Sequence, residues 1–378
     1  MALILLVVAL VLAVAFFQVV QGIYAALIMM LASLVSAAVA FAYFEPLAEV
    51  LYPQLHGAAE GVAMGGLFGV CLLVLRLGAD HFLHHNVVVG VWANRIGAGA
   101  LGLVAALVIM GTVMTAVQLL PLGSSILGFK PFNESLQRQQ VLAPFQPDQF
   151  TAGLVDLMSL GSLKPGSGKT LGVVHRNLLQ EAAARRNTAG LNGSITAPSN
   201  SLMVTGSYAP EYDATMTWMD QVPDDPLRGQ AQTNILIVRV AVDASAADAD
   251  KWWRLPATHF RLIGKDGNSA YPVAYLFVGQ GRWQVAAAPV EEGQTRITSL
   301  VAARSAESGK MTVDWVFRVD PNFVADTLSF RMRSYAGVPA AVEEMPPPSA
   351  ALPGAGDTAA RPQPPQPRPA RPTAPAAK

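Results

Sequence analysis

Between Met1 and Phe129 the only formal charges are Glu45, Glu49, Glu60, Asp80, Arg76 and Arg95, and this scarcity constrains the fold more than any other feature of the sequence. A bilayer core ~30 Å thick is crossed by about 20 mostly apolar residues in helical form, because each backbone amide must find its partner within the segment. Four windows meet that requirement: residues 1–20, 22–44, 57–77 and 90–122. The first two are separated only by the stretch from Gln18 to Gly22, so they form a tight hairpin or one kinked element. Ala13-Val14-Ala15 after the first apolar run would suit a cleaved signal peptide, but no Lys or Arg precedes the run, and an anchoring helix is expected.

Beyond this region the composition changes, and the expected organisation follows from it. Residues 1–125 form an α-helical membrane bundle of about four transmembrane helices, and residues 126–199 a juxtamembrane linker with short helices. Residues 200–340 form an all-β sandwich, and residues 341–378 a disordered Pro/Ala-rich tail. The formal net charge is zero, without a basic stripe interleaved with aromatics, so nucleic acid is not an expected partner. Cys71 is the only cysteine, which excludes an intramolecular disulfide.

Within the membrane windows, Gly57, Gly61, Gly65 and Gly69 recur every four residues, and Ala98, Gly102 and Ala106 repeat the spacing in the fourth window. Small residues on one face let helix backbones approach closely, so the third and fourth segments are expected to pack together. The reading of this face as a pore is the less economical one. Arg76 and Arg95 flank the loop between segments three and four, whereas Glu45 and Glu49 lie between segments two and three. By the positive-inside rule the Arg-flanked loop is cytoplasmic and both chain ends lie across the membrane, although Lys130 and Arg138 vote the other way.

Gly22 at the start of the second window, Pro46-Leu47 after it, and Asn94-Arg95-Ile96-Gly97 leading into Gly102 resemble the colicin V production protein (CvpA) family over roughly residues 1–125. The resemblance implies four membrane helices and a role in membrane physiology or export, with the helical unit fused here to an extracytoplasmic domain. The turn Gln18-Val19-Val20-Gln21-Gly22 departs from the family pattern in lacking arginines.

After the membrane region, Asn133 and Asp148 suit helix N-caps, and Phe150, Leu154, Leu157 and Met158 give the second helix an apolar face for the membrane surface or the bundle. A further short helix is expected over 178–186. Lys164-Pro165-Gly166-Ser167-Gly168-Lys169-Thr170 imitates the end of a phosphate-binding loop, but Leu163 stands where the motif needs glycine and no strand precedes it, so a Gly/Ser turn is expected. From about Asn200 the hydrophobic period becomes two. Leu236, Val238, Val240 and Val242 share a face, as do Val313, Trp315, Phe317 and Val319, and alternation is read through 327–335. Lys265-Asp266-Gly267-Asn268 marks a hairpin between 260–262 and 271–278. Six to eight such strands point to an antiparallel, immunoglobulin-like sandwich.

The sharpest chemical constellation is Asp80, His81, His84 and His85, in which helical spacing pairs His81 with His85 and Asp80 with His84, a ligand set for zinc or copper. The plainer reading is a polar collar where the third segment leaves the bilayer. Glu60 suits the first turn of a helix, Cys71 reads as packing, and Trp252-Trp253 reads as core and edge cover rather than a binding platform. His175 and His259 lie in unrelated contexts without a recognisable nucleophile, and no Gly-x-Ser-x-Gly turn is present. The expected protein is therefore a non-enzymatic membrane anchor without a cofactor, embedded in lipid, in the inner membrane of the cell. It carries a periplasmic β domain that binds a protein or envelope component through the sandwich or the Pro-rich tail, possible homo-oligomerisation included. A channel, transporter or transport accessory is the alternative, and a metal-dependent membrane enzyme using the histidine cluster is a distant third.

Overall fold

The computed structural model describes residues 2–82, 90–123, 125, 126, 128–132, 138, 146–159, 174, 175, 177–186, 195–209, 234–248, 252–279, 282–287, 299–304 and 309–343. The phosphate-loop imitation, Asn133, His84 and His85 lie outside them, as does the tail from residue 344.

The low-charge region folds into α1 (Ala2–Gln21), α2 (Ile23–Leu55), α3 (Ala59–Phe82) and α4 (Val91–Leu119). By length and apolarity these give three candidate spans rather than four: Leu3–Gln21, Ile23–Phe82 and Val91–Leu119. The middle stretch of 60 residues merges the second and third sequence windows. Drawn out straight it would run ~90 Å, about three bilayer cores. Instead the chain reverses at the 3-10 turn His56–Ala58, where His56 takes φ 43° and ψ −117°. The two arms then share one core, with Ala37, Ala40, Phe41 and Phe44 of α2 against Ala59, Ala63, Met64 and Phe68 of α3. The turn is held locally, for the His56 N–H donates to the Tyr52 carbonyl.

α1 runs antiparallel to α4: Leu3, Val7 and Val11 meet Ala106, Leu107 and Met110, while Gln18 and Ala15 meet Gly102. A fifth helix, α5 (Pro147–Ser159), crosses α4 so closely that a Cβ on Gly111 would fall 2.0 Å from the Pro147 carbonyl oxygen and from Thr151 Oγ1. Only glycine fits there. α5 thus packs on the bundle, with Val155 buried in its core and Phe150 and Leu157 facing outward. Asp148 lies in the first turn of α5 rather than before it, and is buried. α6 (Leu178–Arg186) bridges to the β region.

The β region comprises β1 (Leu202–Tyr208), β2 (Asn234–Asp243), β3 (Trp252–Pro256), β4 (Phe260–Gly264), β5 (Ser269–Ala270), β6 (Pro272–Gly279), β7 (Arg282–Ala287), β8 (Ser299–Arg304), β9 (Lys310–Val319), β10 (Ala325–Phe330) and β11 (Ser334–Gly337). Two antiparallel sheets form, with strand orders β1-β2-β9-β6-β7 and β11-β10-β4-β5, beside a β3-β8 ribbon. Val238 and Val240 of β2, Trp315 and Phe317 of β9, Phe260 and Leu262 of β4, and Leu328 and Phe330 of β10 enter one common core. Its centre is aromatic: the Phe260 ring lies 4.8 Å from Trp315 and 4.6 Å from Phe330. Trp253 is buried there as well.

Two details depart from the alternation. The turn at Asp266-Gly267 forms, with Gly267 at φ 80°, but across it β4 meets only the two residues Ser269 and Ala270. Pro272 then opens β6 in the other sheet, beside β9, so residues 271–278 are not the second arm of that hairpin. Likewise 327–335 is not one strand. Arg331 (φ 51°) and Met332 (φ 59°) turn the chain into the β10–β11 hairpin, which pairs Phe330 with Ser334.

Candidate functional site at the membrane junction

The tip of the β10–β11 hairpin is driven into the end of the helix bundle. Leu328 and Phe330 belong to the core of the sheets, but Met332, two residues on, is buried with Phe44, Met64 and Leu119 of the helices. Arg333 places its guanidinium 4.2 Å from the centre of the Tyr52 ring on α2, a cation–π contact. Two consecutive non-glycine residues at positive φ carry a conformational cost, typically ~1 kcal/mol or more each, that persists only where the surroundings over-determine it. Here the fully buried Arg331 does so. It donates to the carbonyls of Thr196 and Ala246 (both 3.0 Å), Arg254 (3.0 Å) and to His259 Nδ1 (3.2 Å). Burial pulls its pKa down to about 10, against the opposing pull of Asp248.

Around this tip lies a network of buried charge. Arg185 of α6 pairs through Nη1 with Glu60, in the first turn of α3, and donates from Nη2 to the Leu119 carbonyl at the end of α4 at 2.9 Å. One guanidinium therefore ties two membrane helices to α6. His175 does the same for α2: its Nδ1 lies 2.7 Å from Glu181 Oε2 and its Nε2 2.7 Å from Glu45 Oε1. Burial opposes the charged imidazole, but Glu181 and Glu45 outweigh it and raise His175 to about 10, so both ring nitrogens donate at neutral pH. The Tyr335 hydroxyl of β11 reaches the same carboxylate, 3.2 Å from Glu45 Oε1, and burial first, then the nearby acids, push its pKa well above the usual tyrosine range. Arg261 of β4 completes the ring, 2.6 Å from Glu181 Oε1.

His259 has the opposite character. Its Nδ1 accepts from Arg331, which leaves the ring proton on Nε2 to donate to the Arg185 carbonyl at 3.2 Å. Burial, then the Arg331 charge, hold it well below the ordinary histidine range and neutral. Two histidines of one junction thus sit in fixed and different protonation states. Neither was connected to the other by the sequence, since His175 meets Glu45 from 130 residues away and His259 meets Arg331 and Arg185 from 72 and 74. The one sequence signal was ionisable residues interrupting otherwise apolar segments, Glu45 and Glu60 above all.

The opposite end of the bundle is neutral. Gly22 starts α2 without a side-chain cap of its own, and Asn94 of α4 supplies one by accepting from the Ile23 N–H at 2.8 Å. A Cβ on Gly97 would strike Ile23 Cδ1 at 2.4 Å, so Asn94 and Gly97 together seat α4 on the α1–α2 turn. Arg95 between them is exposed. The two small-residue stripes serve different neighbours. Gly61 and Gly65 approach Ala116 and Leu120 of α4 and Gly57 approaches Pro121, whereas Gly69 meets nothing within 4 Å. Gly102 and Ala106 are turned towards α1, and Ala98 is buried. Asp80 ion-pairs with Arg76 at 3.1 Å, and the His81 ring packs edge-on to Phe82. Among the described residues no group of three or more His, Cys, Asp or Glu is placed to hold a metal ion.

No curated protein matches the chain, and no solved structure does. The family match ends at Gln146, one residue before α5, so it takes in the three candidate membrane spans and none of the β region. The bundle with the Asn94 cap at one end and Glu45 and Glu60 at the other, residues 2–146, matches the family described as colicin V production protein.

Proposed function

We propose that this is a non-enzymatic inner-membrane protein whose helix bundle holds the β region in a set orientation outside the cytoplasm, where an immunoglobulin-like sandwich presents a binding face to a protein or envelope partner. The carrying observation is the junction itself. Ion pairs that tie α2 to His175 and α3 to α6, together with a strained hairpin seated among the helices, define one docking geometry, a stronger constraint than a flexible tether needs. The periplasmic placement rests on the Arg76/Arg95 loop lying at the bundle end opposite the β region. Cysteine labelling of Ser199→Cys on a Cys71→Ser background is expected only from the periplasmic side; labelling only from the cytoplasm would reverse the orientation. For binding, a photo-crosslinker at exposed Met203 or Val324 in the full chain should give a discrete adduct in native membranes. That adduct should disappear when Glu60→Ala frees the domain. Function that survives deletion of residues 200–378 would sink the proposal.

A second reading, transport by the bundle, draws on α5. Asp148 is buried against α4, 3.5 Å from Gln118 Nε2 and from Arg138 Nη2, and its Oδ1 and Gln118 Oε1 have no hydrogen-bond partner. An ionisable group packed within a membrane bundle marks ion or proton paths in many transporters. Asp148→Asn would abolish proton or cation flux in reconstituted vesicles on this reading, and leave the crosslinked adduct intact on the first.

A further inference from the structure

Between α6 and strands β4 and β10, just behind the hairpin tip, lies a small cavity with room for about one water-sized particle. Its lining includes Arg185, Arg261 and Arg331, with Thr258, Tyr271 and Glu181. Six side-chain atoms of this lining are buried without a hydrogen bond, and two of them, Arg261 Nη1 and Glu181 Oε1, face each other as an ion pair at 2.6 Å. The other four, Arg185 Nε, Arg261 Nε, Thr258 Oγ1 and the Tyr271 hydroxyl, each carry an N–H or O–H to donate. Arg185, Arg261 and Thr258 are themselves more than nine-tenths buried.

The charges point the same way. Three guanidinium groups line the cavity against the single carboxylate of Glu181, which already answers both His175 and Arg261. Arg186, next along α6, is buried too, and its Nη1 also lacks a partner. Glu60 is spent on Arg185, and Asp248 approaches Arg331 only to 4.0 Å while pairing with Arg254 at 2.8 Å. Unanswered buried charge costs several kcal/mol, and each unsatisfied buried donor about 1–3 kcal/mol. A water molecule accepts two hydrogen bonds and brings two protons that need acceptors of their own. A halide-sized anion accepts from all four donors and offsets one positive charge.

We infer that this cavity binds a single small monovalent anion, chloride in the cell, which completes the latch between helix bundle and β region. The site is independent of what the β region binds. The test uses full-length protein in detergent, melted at equal ionic strength in sodium gluconate, chloride or bromide. Chloride and bromide should raise Tm saturably by roughly 2–5 °C over gluconate. Tyr271→Phe and Thr258→Val, which keep shape and remove donors, should each reduce that rise at least twofold. Crystals grown in bromide should show an anomalous peak within hydrogen-bond distance of Arg185 Nε and Arg261 Nε in the wild type, a readout that does not depend on either variant folding. Equal melting in all three salts, or a cavity without the bromide peak, would overturn the inference in favour of a bound water.

Discussion

The two ends of one helix bundle are closed by different physics. At the Gly22 end, a single neutral hydrogen bond from Asn94 and the contact of Gly97 with Ile23 hold α4 to the α1–α2 turn. At the Glu60 end, full charges from α3, α6, β4 and the β10–β11 turn are buried together beneath a hairpin, with half-exposed Glu45 of α2 at their edge. A neutral cap loses little when water reaches it. A buried ion pair binds its partners only while both are present and dry, so the charged end makes the junction an all-or-none contact. The bundle is therefore built for packing at one end and for specific docking at the other.

The contrast is broken most severely by removing one member of the buried pair. Glu60→Ala or Arg185→Ala should destabilise the junction by about 3–5 kcal/mol, read as faster proteolysis between residues 187 and 201 with the helices intact, whereas Glu60→Leu combined with Arg185→Met should recover much of the loss. Equal single and double effects would show that the pair does not act as a unit. Emptying the hairpin's socket comes next: Met332→Ala should cost about 2–3 kcal/mol by leaving a cavity among Phe44, Met64 and Leu119, seen as increased hydrogen exchange of β11. An unchanged exchange rate would detach the tip from the latch.

Protonation sharpens the comparison because only the charged end should respond to it. His175, raised to about 10 in the folded protein from an unfolded value near 6.5, contributes stability that is whole below about pH 6.5 and is lost as pH rises towards 10. His259 has a folded value held below its unfolded one, so its contribution fades as pH falls below about 6.5. Junction opening by hydrogen exchange should be lowest near pH 6.5–7. It should rise on the alkaline side by up to about tenfold per pH unit, the ceiling for one titrating group, and His175→Gln should flatten that limb. The smallest effect belongs to the neutral end. Asn94→Ala should cost about 1 kcal/mol, measured by thermal melting, and leave the pH profile of the junction unchanged.

Much of this architecture was written in local patterns. The paucity of charge marked the helices, because an uncharged apolar run of that length has no other way to satisfy its backbone in a bilayer. Period-two alternation marked β2 and β9, since every second side chain enters the common core. The resemblance carried by Asn94 and Gly97 lay in residues that seat α4 on the α1–α2 turn. The junction was not legible in the same way. His175 and Glu45 are 130 positions apart, and neither has a local spacing that names the other. The strand reading of 327–335 failed at Arg331 because the alternation continues through Met332 while the side chain changes cores.

By itself, then, the sequence determined where the chain is helical and membrane-compatible, where it alternates into strands, and which residues begin α2 and α4, because each follows from neighbours a few positions away. Only the tertiary structure decided that α2 stays helical through Leu55 and the reversal between the second and third segments falls at His56, that the two small-residue stripes face different helices, and that Glu45 and Glu60 meet His175 and Arg185. The reason is physical. A buried charge is tolerable only when its counter-charge is delivered to the same dry place, and delivery depends on the path of the whole chain.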